Sequence, residues 1–296
     1  MNPSIGRCVT WLSLVLLLTV AADAQAAAAR FSTPEAAGDA LAKALKGPDQ
    51  AELRRVLGDD WRTYIPTDGV ERSDVEAFIE DYEASHQIVA SGSRSHIGVG
   101  HSGWLLPIPL VRDAEGWYFD TKAAREEILM RRIGGNEMSV VEALLAYYDA
   151  QREYAMQSDD GGEPPHYASK LVSSPGKHDG LYWPSEKGEA KSPLGPYFAK
   201  PPQGDTYYGY HYRVLTSQGA SAPGGAYDYM SGGLMSHGFA LLAWPASYGE
   251  SGVMSFVISH DGQVYQKDLG KDTPRVATAI NRFDPDSSWA EVPVTP

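Results

Sequence analysis

Cysteine is almost missing from this chain: among 296 residues only Cys8 carries a thiol, and it stands just before the first long apolar run. Once a leader containing Cys8 is removed, no intramolecular disulfide and no thiolate metal site can form. Basic residues are also scarce, with 25 Lys and Arg against 38 Asp and Glu, a net charge of −13. The acid is spread along the chain, and such a surface disfavours nucleic acid and anionic lipid as partners. After the first apolar run no other approaches the length of a membrane span. Catalytic signatures are missing as well. The eight histidines show no His-Glu-x-x-His and no paired ligand spacing. There is no phosphate-binding Gly loop, no Gly-x-Ser-x-Gly elbow and no Ser-x-x-Lys. These absences imply no cofactor and no metal site, and they identify no reaction or oligomeric state.

What is present begins with a leader. Arg7 is the only charge before Asp23, and Val9 to Ala22 is an apolar run of 14 residues. Small residues follow, offering Ala-x-Ala cleavage after Ala24 or Ala26, the layout of a secretory signal peptide over residues 1–26. The alternative is an uncleaved N-terminal anchor. Cys8 precedes the run instead of following it, which does not fit lipoprotein acylation. Removal leaves about 270 residues, enough for one large domain or two ordinary ones. The expected location is the periplasm or the exterior.

The first half reads as helices followed by strands. Thr33 caps a helix with Pro34 in its first turn, and Ala37, Ala40, Leu41, Ala44 and Leu45 form its buried face before Gly47-Pro48 ends it. A second helix runs from Gln50 to Leu57, Trp61 to Pro66 is an extended link, and Ser73 caps a third helix through Tyr82. Strands follow at Gln87–Ala90, His96–Gly100, Leu105–Arg112 and Gly116–Phe119, with Gly116 in a hairpin turn and Pro107 and Pro109 marking an edge or bulge. Lys122 to Arg132 forms a charged helix with a Glu127–Arg131 pair four apart. Gly134-Gly135 then reads as a break.

The second half is organised around Asn136–Gln157. Val141, Leu144, Leu145, Tyr148 and Ala155 recur at helical spacing, widened by Val140, Tyr147 and Tyr154. Asn136 reads as the N-cap, with Glu137 at the positive end of the dipole. So wide an apolar face needs a cover, which later strands supply. The stretch 158–204 is a long loop with Tyr182-Trp183-Pro184 and Pro196-Tyr197-Phe198 as anchors. Strands are expected at Tyr207–Leu215, Gly238–Trp244, Val253–Ser259 and Gln263–Lys267, and a last helix from Thr273-Pro274. The fold class is α+β: N-terminal helices with a curved, cone-like antiparallel sheet over residues 31–133, then a long helix packed on an antiparallel sheet over residues 136–292.

NEMSVVEALLAYYDAQREYA, GYHYRVL, FALLAWPASYGESGVMSFVISHDGQVYQKDLG and DPDSSW, in this order, resemble the bacterial DUF2950 family, a domain of unknown function. The N-terminal elements FSTPEAAGDALAKAL, PIPLV, GWYFDTKAAREEIL and RRIGGNE match it too, so the resemblance covers most of residues 31–292. It implies a secreted or periplasmic protein without an established biochemistry. The helix followed by GY-x-Y and the later strands also resembles the globular part of type IV pilin-like proteins. The internal helix lacks the apolar stem that polymerises fibres, which argues against a filament subunit. The order of helices and strands in the first half resembles the cone-shaped nuclear transport factor 2-like fold.

Several side chains invite a chemical reading. His260-Asp261-Gly262 looks like a metal-binding pair, but Asp-Gly is a common hairpin turn, and turn chemistry is preferred. Ser236-His237 and His101-Ser102 place a hydroxyl beside an imidazole without triad geometry. Asp159, Asp160 and Glu163 lack the alternate oxygen spacing of a calcium loop. The aromatic load of the second half is the stronger signal: Tyr208, Tyr210, Tyr227, Tyr229 and Trp183 are the candidate binding residues, suited to stacking on glycan or peptide. The same rings can instead build the core of the helix-on-sheet layer and pin down the long loops, and for the aromatic load as a whole that reading is preferred. The expected function is a non-catalytic binding or assembly module with a cell-envelope protein or glycan as partner. The alternative is a small-ligand carrier or hydrolase-type enzyme using a pocket near Tyr82, Trp104 and Trp117.

Overall fold

Thr33 ends an extended entry and accepts a hydrogen bond from Ala36 N (3.1 Å), opening the first helix of the computed structural model. The residues described are 27–48, 50–67, 70–157, 164–184, 191–195 and 206–293; the leader over 1–26, the acidic trio Asp159, Asp160 and Glu163, and the anchor Pro196-Tyr197-Phe198 lie outside them. The chain is α+β and forms two compact units, one up to Arg125 and one from Glu126.

In the first unit, helices α1 (Pro34–Lys46), α2 (Gln50–Leu57), α3 (Trp61–Tyr64) and α4 (Arg72–Ala84) precede a five-stranded antiparallel sheet. Its strands are β1 (His86–Ser91), β2 (Arg94–Val99), β3 (Trp104–Leu105), β4 (Leu110–Arg112) and β5 (Trp117–Phe119). Ala37, Leu41, Val56, Trp61, Ile97, Leu110 and Phe119 are buried and fill the layer between helices and sheet. At φ 141° Gly116 lies against the chain's entry, where an added Cβ would sit 2.5 Å from Phe31 O, so only glycine fits this hairpin. Three expectations change here. Trp61–Pro66 is not an extended link; its first four residues make α3, because burying the Trp61 ring closes a turn. The cap of α4 is Glu71, which forms a reciprocal capping box with Asp74, and Ser73 lies inside the helix. The strand expected at Leu105–Arg112 is interrupted between β3 and β4, where Pro107 and Pro109 withhold ladder donors.

Helix α5 runs unbroken from Thr121 to Gln157. The break expected at Gly134-Gly135 does not occur. Each glycine costs a helix about 1 kcal/mol relative to alanine, and the helix-favouring residues on both sides outweigh that. Asn136 is therefore no cap: its amide donates to Ser251 O (2.8 Å). Glu137 accepts from both Val253 N and Met254 N (2.9 Å each) instead of serving a helix end. Glu127 and Arg131 pair as their spacing implies (2.8 Å).

In the second unit, Val140, Ala143, Leu144, Tyr147, Ala150 and Gln151 make one buried stripe on α5. It packs on a sheet ordered β14-β13-β12-β11-β6, antiparallel throughout. These strands are β6 (Tyr210–Leu215), β11 (Ala240–Pro245), β12 (Met254–Ser259), β13 (Val264–Asp268) and β14 (Ala290–Glu291). Between β6 and β11 lie four two-residue strands, β7 (Ser217–Gln218), β8 (Tyr227–Asp228), β9 (Met230–Ser231) and β10 (Leu234–Met235), paired as β7–β8 and β9–β10. Register puts Tyr210, Tyr212, Leu241, Ala243, Phe256 and Ile258 on the face toward α5. Arg213, Leu242 and Val257 are on the other face, toward α6 (Thr273–Ala279) and the chain that follows it. With both faces covered, β11 is apolar from end to end and does not alternate. Full burial of each large side chain here contributes about 1.5–3 kcal/mol. Buried Gln151 binds Ala168 from both sides, its amide donating to Ala168 O and its oxygen accepting from Ala168 N (2.8 Å each). That double bond fixes the segment 164–184 to the helix.

Candidate functional site

Two aromatic surfaces of the second unit stand out. The first is a turn. Tyr207 and Tyr210 exchange backbone hydrogen bonds in both directions (2.9 Å each). Between them Tyr208 (φ 53°) and Gly209 (φ 73°) are both left-handed, the signature of a type I′ turn. The strand expected from Tyr207 therefore begins only at Tyr210. Gly209 has no room for a side chain, since a Cβ would lie 2.8 Å from Ser251 Cβ and 3.1 Å from the Asn136 amide. Tyr210, in contrast, is buried, and its hydroxyl donates to Met254 O (2.9 Å) across Gly252. Burial, with the Glu137 carboxylate behind it, pushes that phenol well above its usual range. Tyr208 keeps 39% of its surface in solvent. Among the described residues it is the one non-glycine with positive φ.

The second surface gathers Tyr227, Tyr229 and His260. The Tyr227 hydroxyl and His260 Nε2 are 3.0 Å apart, and Tyr229 meets the imidazole edge-on at 5.4 Å between centroids. His260 Nδ1 is buried without a hydrogen-bond partner among the described residues. It faces Gly238, where a Cβ would approach to 2.8 Å. Tyr229 donates to Gln218 Oε1 (2.9 Å), and the Gln218 amide donates to Pro223 O (2.6 Å) and Gly225 O (2.7 Å), pinning the Gly224-Gly225 loop. Burial raises both phenols; the Asp261 carboxylate adds to the shift at Tyr227, and Tyr227 then Asp261 add to that at Tyr229. Asp261-Gly262 does form the turn between β12 and β13, with Gly262 at φ 81°.

The five candidate residues thus divide. Tyr208 and Tyr227, 39% and 36% exposed, present their rings to solvent. Tyr210, Tyr229 and Trp183 are buried, Trp183 stacked on His178 at 4.2 Å. Tyr227 and Tyr229 come together around His260, and Tyr208 and Tyr210 share one turn. Sequence reasoning assigned His260 to a turn and missed its contact with Tyr227, 33 residues away; no local pattern signals such a pairing. Among the described residues no three His, Cys, Asp or Glu side chains gather as a metal cluster.

The amino-acid sequence across this frame matches one family model over residues 28–292. The chain belongs to the DUF2950 family. That family is described as a protein of unknown function. No curated protein and no solved structure matches the chain. Membership therefore accounts for the joint order of motifs through both units, and assigns no reaction to either DUF2950 unit.

Proposed function

We propose that this chain is an exported, non-catalytic binding module of the bacterial cell envelope that engages an envelope protein or glycan through Tyr208. The carrying observation is the backbone of that residue. A left-handed conformation costs an ordinary side chain roughly 1–2 kcal/mol, and Asn-Gly is the common solution for this turn. The chain places a tyrosine there, with its ring partly in solvent. Strain kept at an exposed aromatic is the kind of outlier from which a functional contact is inferred. The leader over residues 1–26 supports export. A long helix on an antiparallel sheet supports the pilin-like reading of the second unit, and no described helix is long and apolar enough to cross a membrane. The test is a photo-crosslinking amino acid at position 208, compared in cells with one at Met156, an exposed site at the far end of α5. A discrete adduct at 208 and not at 156 is expected. Equal labelling, or none, refutes the assignment.

A small-ligand carrier or hydrolase-type enzyme in the first unit draws on a different observation. Tyr82, Asp39 and His86 converge on a groove of about 280 Å³. The Tyr82 hydroxyl donates to Asp39 (2.9 Å), and His86 stacks on the Tyr82 ring at 4.0 Å. Trp104 and Trp117, expected beside it, do not line this groove. A ligand whose binding is lost in both Asp39→Ala and His86→Ala would favour this reading over the first.

A further inference from the structure

The DPDSSW stretch near the C-terminus plays no part in the Tyr208 reading, yet it is built with care. Phe283 is bonded on both sides to the chain around β7: its N–H donates to Ser217 O (2.9 Å) and its carbonyl accepts from Gly219 N (2.8 Å). Next to it, Asp284 accepts from Ser221 N (2.7 Å). Its carboxylate occupies the space a side chain at Gly219 would need. Asp286 accepts from the backbone N–H (2.9 Å) and hydroxyl of Ser288, and Trp289 N donates back to Asp286 O (3.0 Å). Lys267 donates to Ser288 Oγ (2.6 Å) and places its ammonium 5.8 Å from the Trp289 ring centre. On the opposite side, Arg213 donates to Ala277 O (2.5 Å) and to Ile280 O, holding the end of α6 and the residues after it.

Beside this stretch lies an open-sided pocket of about 190 Å³, lined by apolar Val257, Ile280 and Trp289 and by the exposed polar residues Asn281, Arg282 and Asp284. Arg282 Nε donates to Asn281 Oδ1 (3.4 Å), so the guanidinium and the amide sit together. The rim thus offers a fixed carboxylate acceptor, a guanidinium donor and an amide able to do both. A lone anion would meet the Asp284 carboxylate, a lone cation would meet Arg282, and a hydrocarbon would use none of the hydrogen-bonding capacity these groups keep beyond their bonds to Ser221 N and to each other. A ring carrying several hydroxyls, each both donor and acceptor, with an apolar C–H face for the indole, satisfies every wall.

We propose that this pocket is a binding site for one pyranose ring of a glycan. It stands apart from the Tyr208 turn and does not depend on it. The test titrates the full chain with maltotriose and, separately, with triacetylchitotriose, following the indole N–H of Trp289 by NMR. Inorganic phosphate serves as the anion control. A saturable shift with one of the sugars and none with phosphate is expected. Arg282→Ala and Asn281→Ala, both exposed positions, should keep the fold and weaken that binding about tenfold, as the loss of one charge-assisted or paired hydrogen bond does. Trp289→Leu, which removes that probe and is therefore followed by isothermal titration calorimetry alongside the wild type, should abolish it, while Tyr208→Ala should leave it unchanged, so that the two assignments fail separately. No saturable shift with either sugar at millimolar concentration, a response to phosphate alone, or binding unaltered in Arg282→Ala and Asn281→Ala overturns the proposal.

Discussion

Tyr208→Ala and Tyr208→Asn remove the same ring but differ in what the backbone tolerates, and their difference isolates the strain at the turn. Alanine at φ 53° keeps the strain of tyrosine and loses the part of the ring that the protein covers. With 39% of Tyr208 in solvent, the lost contact is worth about 1–2 kcal/mol. Asparagine loses those contacts too, but it is one of the few residues at home in the left-handed region. It should therefore be more stable than the alanine variant by about 1 kcal/mol. Urea unfolding followed by tryptophan fluorescence reads this directly, provided both variants share one slope. In thermal unfolding the same gap is about 2–4 °C for a unit of this size. Both variants should lose the contact at position 208, so binding and stability separate: asparagine regains stability and not function. An alanine variant as stable as the asparagine variant, or more so, would mean that the backbone is not strained there, and the case for Tyr208 as a retained contact would fall.

Other perturbations test the frame. Gly134 and Gly135 have open space where a Cβ would go, so replacing either by alanine should stabilise the protein by about 0.5–1 kcal/mol; destabilisation in a urea titration would contradict an unbroken α5. Gly252→Ala should cost about 1–3 kcal/mol, because the new methyl would occupy the place of the Tyr210 hydroxyl; a wild-type melting temperature would contradict that packing. Gln151→Leu strands the N–H and C=O of Ala168, a loss of about 2–4 kcal/mol, and should expose residues 164–184 to proteolysis. Lys170, together with Ser174, holds the Asp179 carboxyl well below its usual range. A depressed carboxylate stabilises above its unfolded pKa of about 3.9 and loses that contribution as pH falls below it. Amide protection around residues 170–180, corrected for the intrinsic pH dependence of exchange, should fall below about pH 4 in the wild type, and Asp179→Asn should flatten that dependence; identical protection profiles would count against the pairing.

Local chemistry made much of this fold legible. Thr33-Pro34 and Gly47 bound α1 because capping and proline geometry act within a few residues, and α2 runs from Gln50 to Leu57 as its composition implies. Asp261-Gly262 turns the chain between β12 and β13 for the same reason. The misreadings share another physical cause. Gly134-Gly135 looks like punctuation, but a glycine breaks a helix only when the alternative conformation gains something, and here Asn136 and Glu137 gain their partners 115 to 117 residues away while remaining helical. Tyr207–Tyr210 alternates like a strand, yet the turn depends on Ser251 and Asn136 crowding Gly209. The contact between Tyr227 and His260 is equally nonlocal. The aromatic richness of the second half was plain in the sequence; which rings face water was not, since burial is decided by partners far along the chain, such as Met254 for Tyr210 and His260 for Tyr229.

That division among the tyrosines is what separates structure from function here. Tyr147, Tyr210 and Tyr229 deliver their hydroxyls to Ala240 O (3.3 Å), Met254 O (2.9 Å) and Gln218 Oε1 (2.9 Å), all inside the protein. Loss of any of these hydroxyls leaves a buried acceptor short of a donor, so each is explained by stability alone. Tyr227 covers His260 and has a structural role of the same kind, although its ring reaches solvent. Tyr208 differs in sign. Its backbone would be better served by asparagine, and its ring is the one aromatic kept in place against the local conformational preference. Inside the protein the Tyr208 phenol acts on the buried Tyr212 hydroxyl, adding to the rise that burial imposes there; the crosslink at position 208 tests whether the ring also serves the proposed contact outside it. The proposed binding role rests on the backbone of this single tyrosine and not on the number of tyrosines around it.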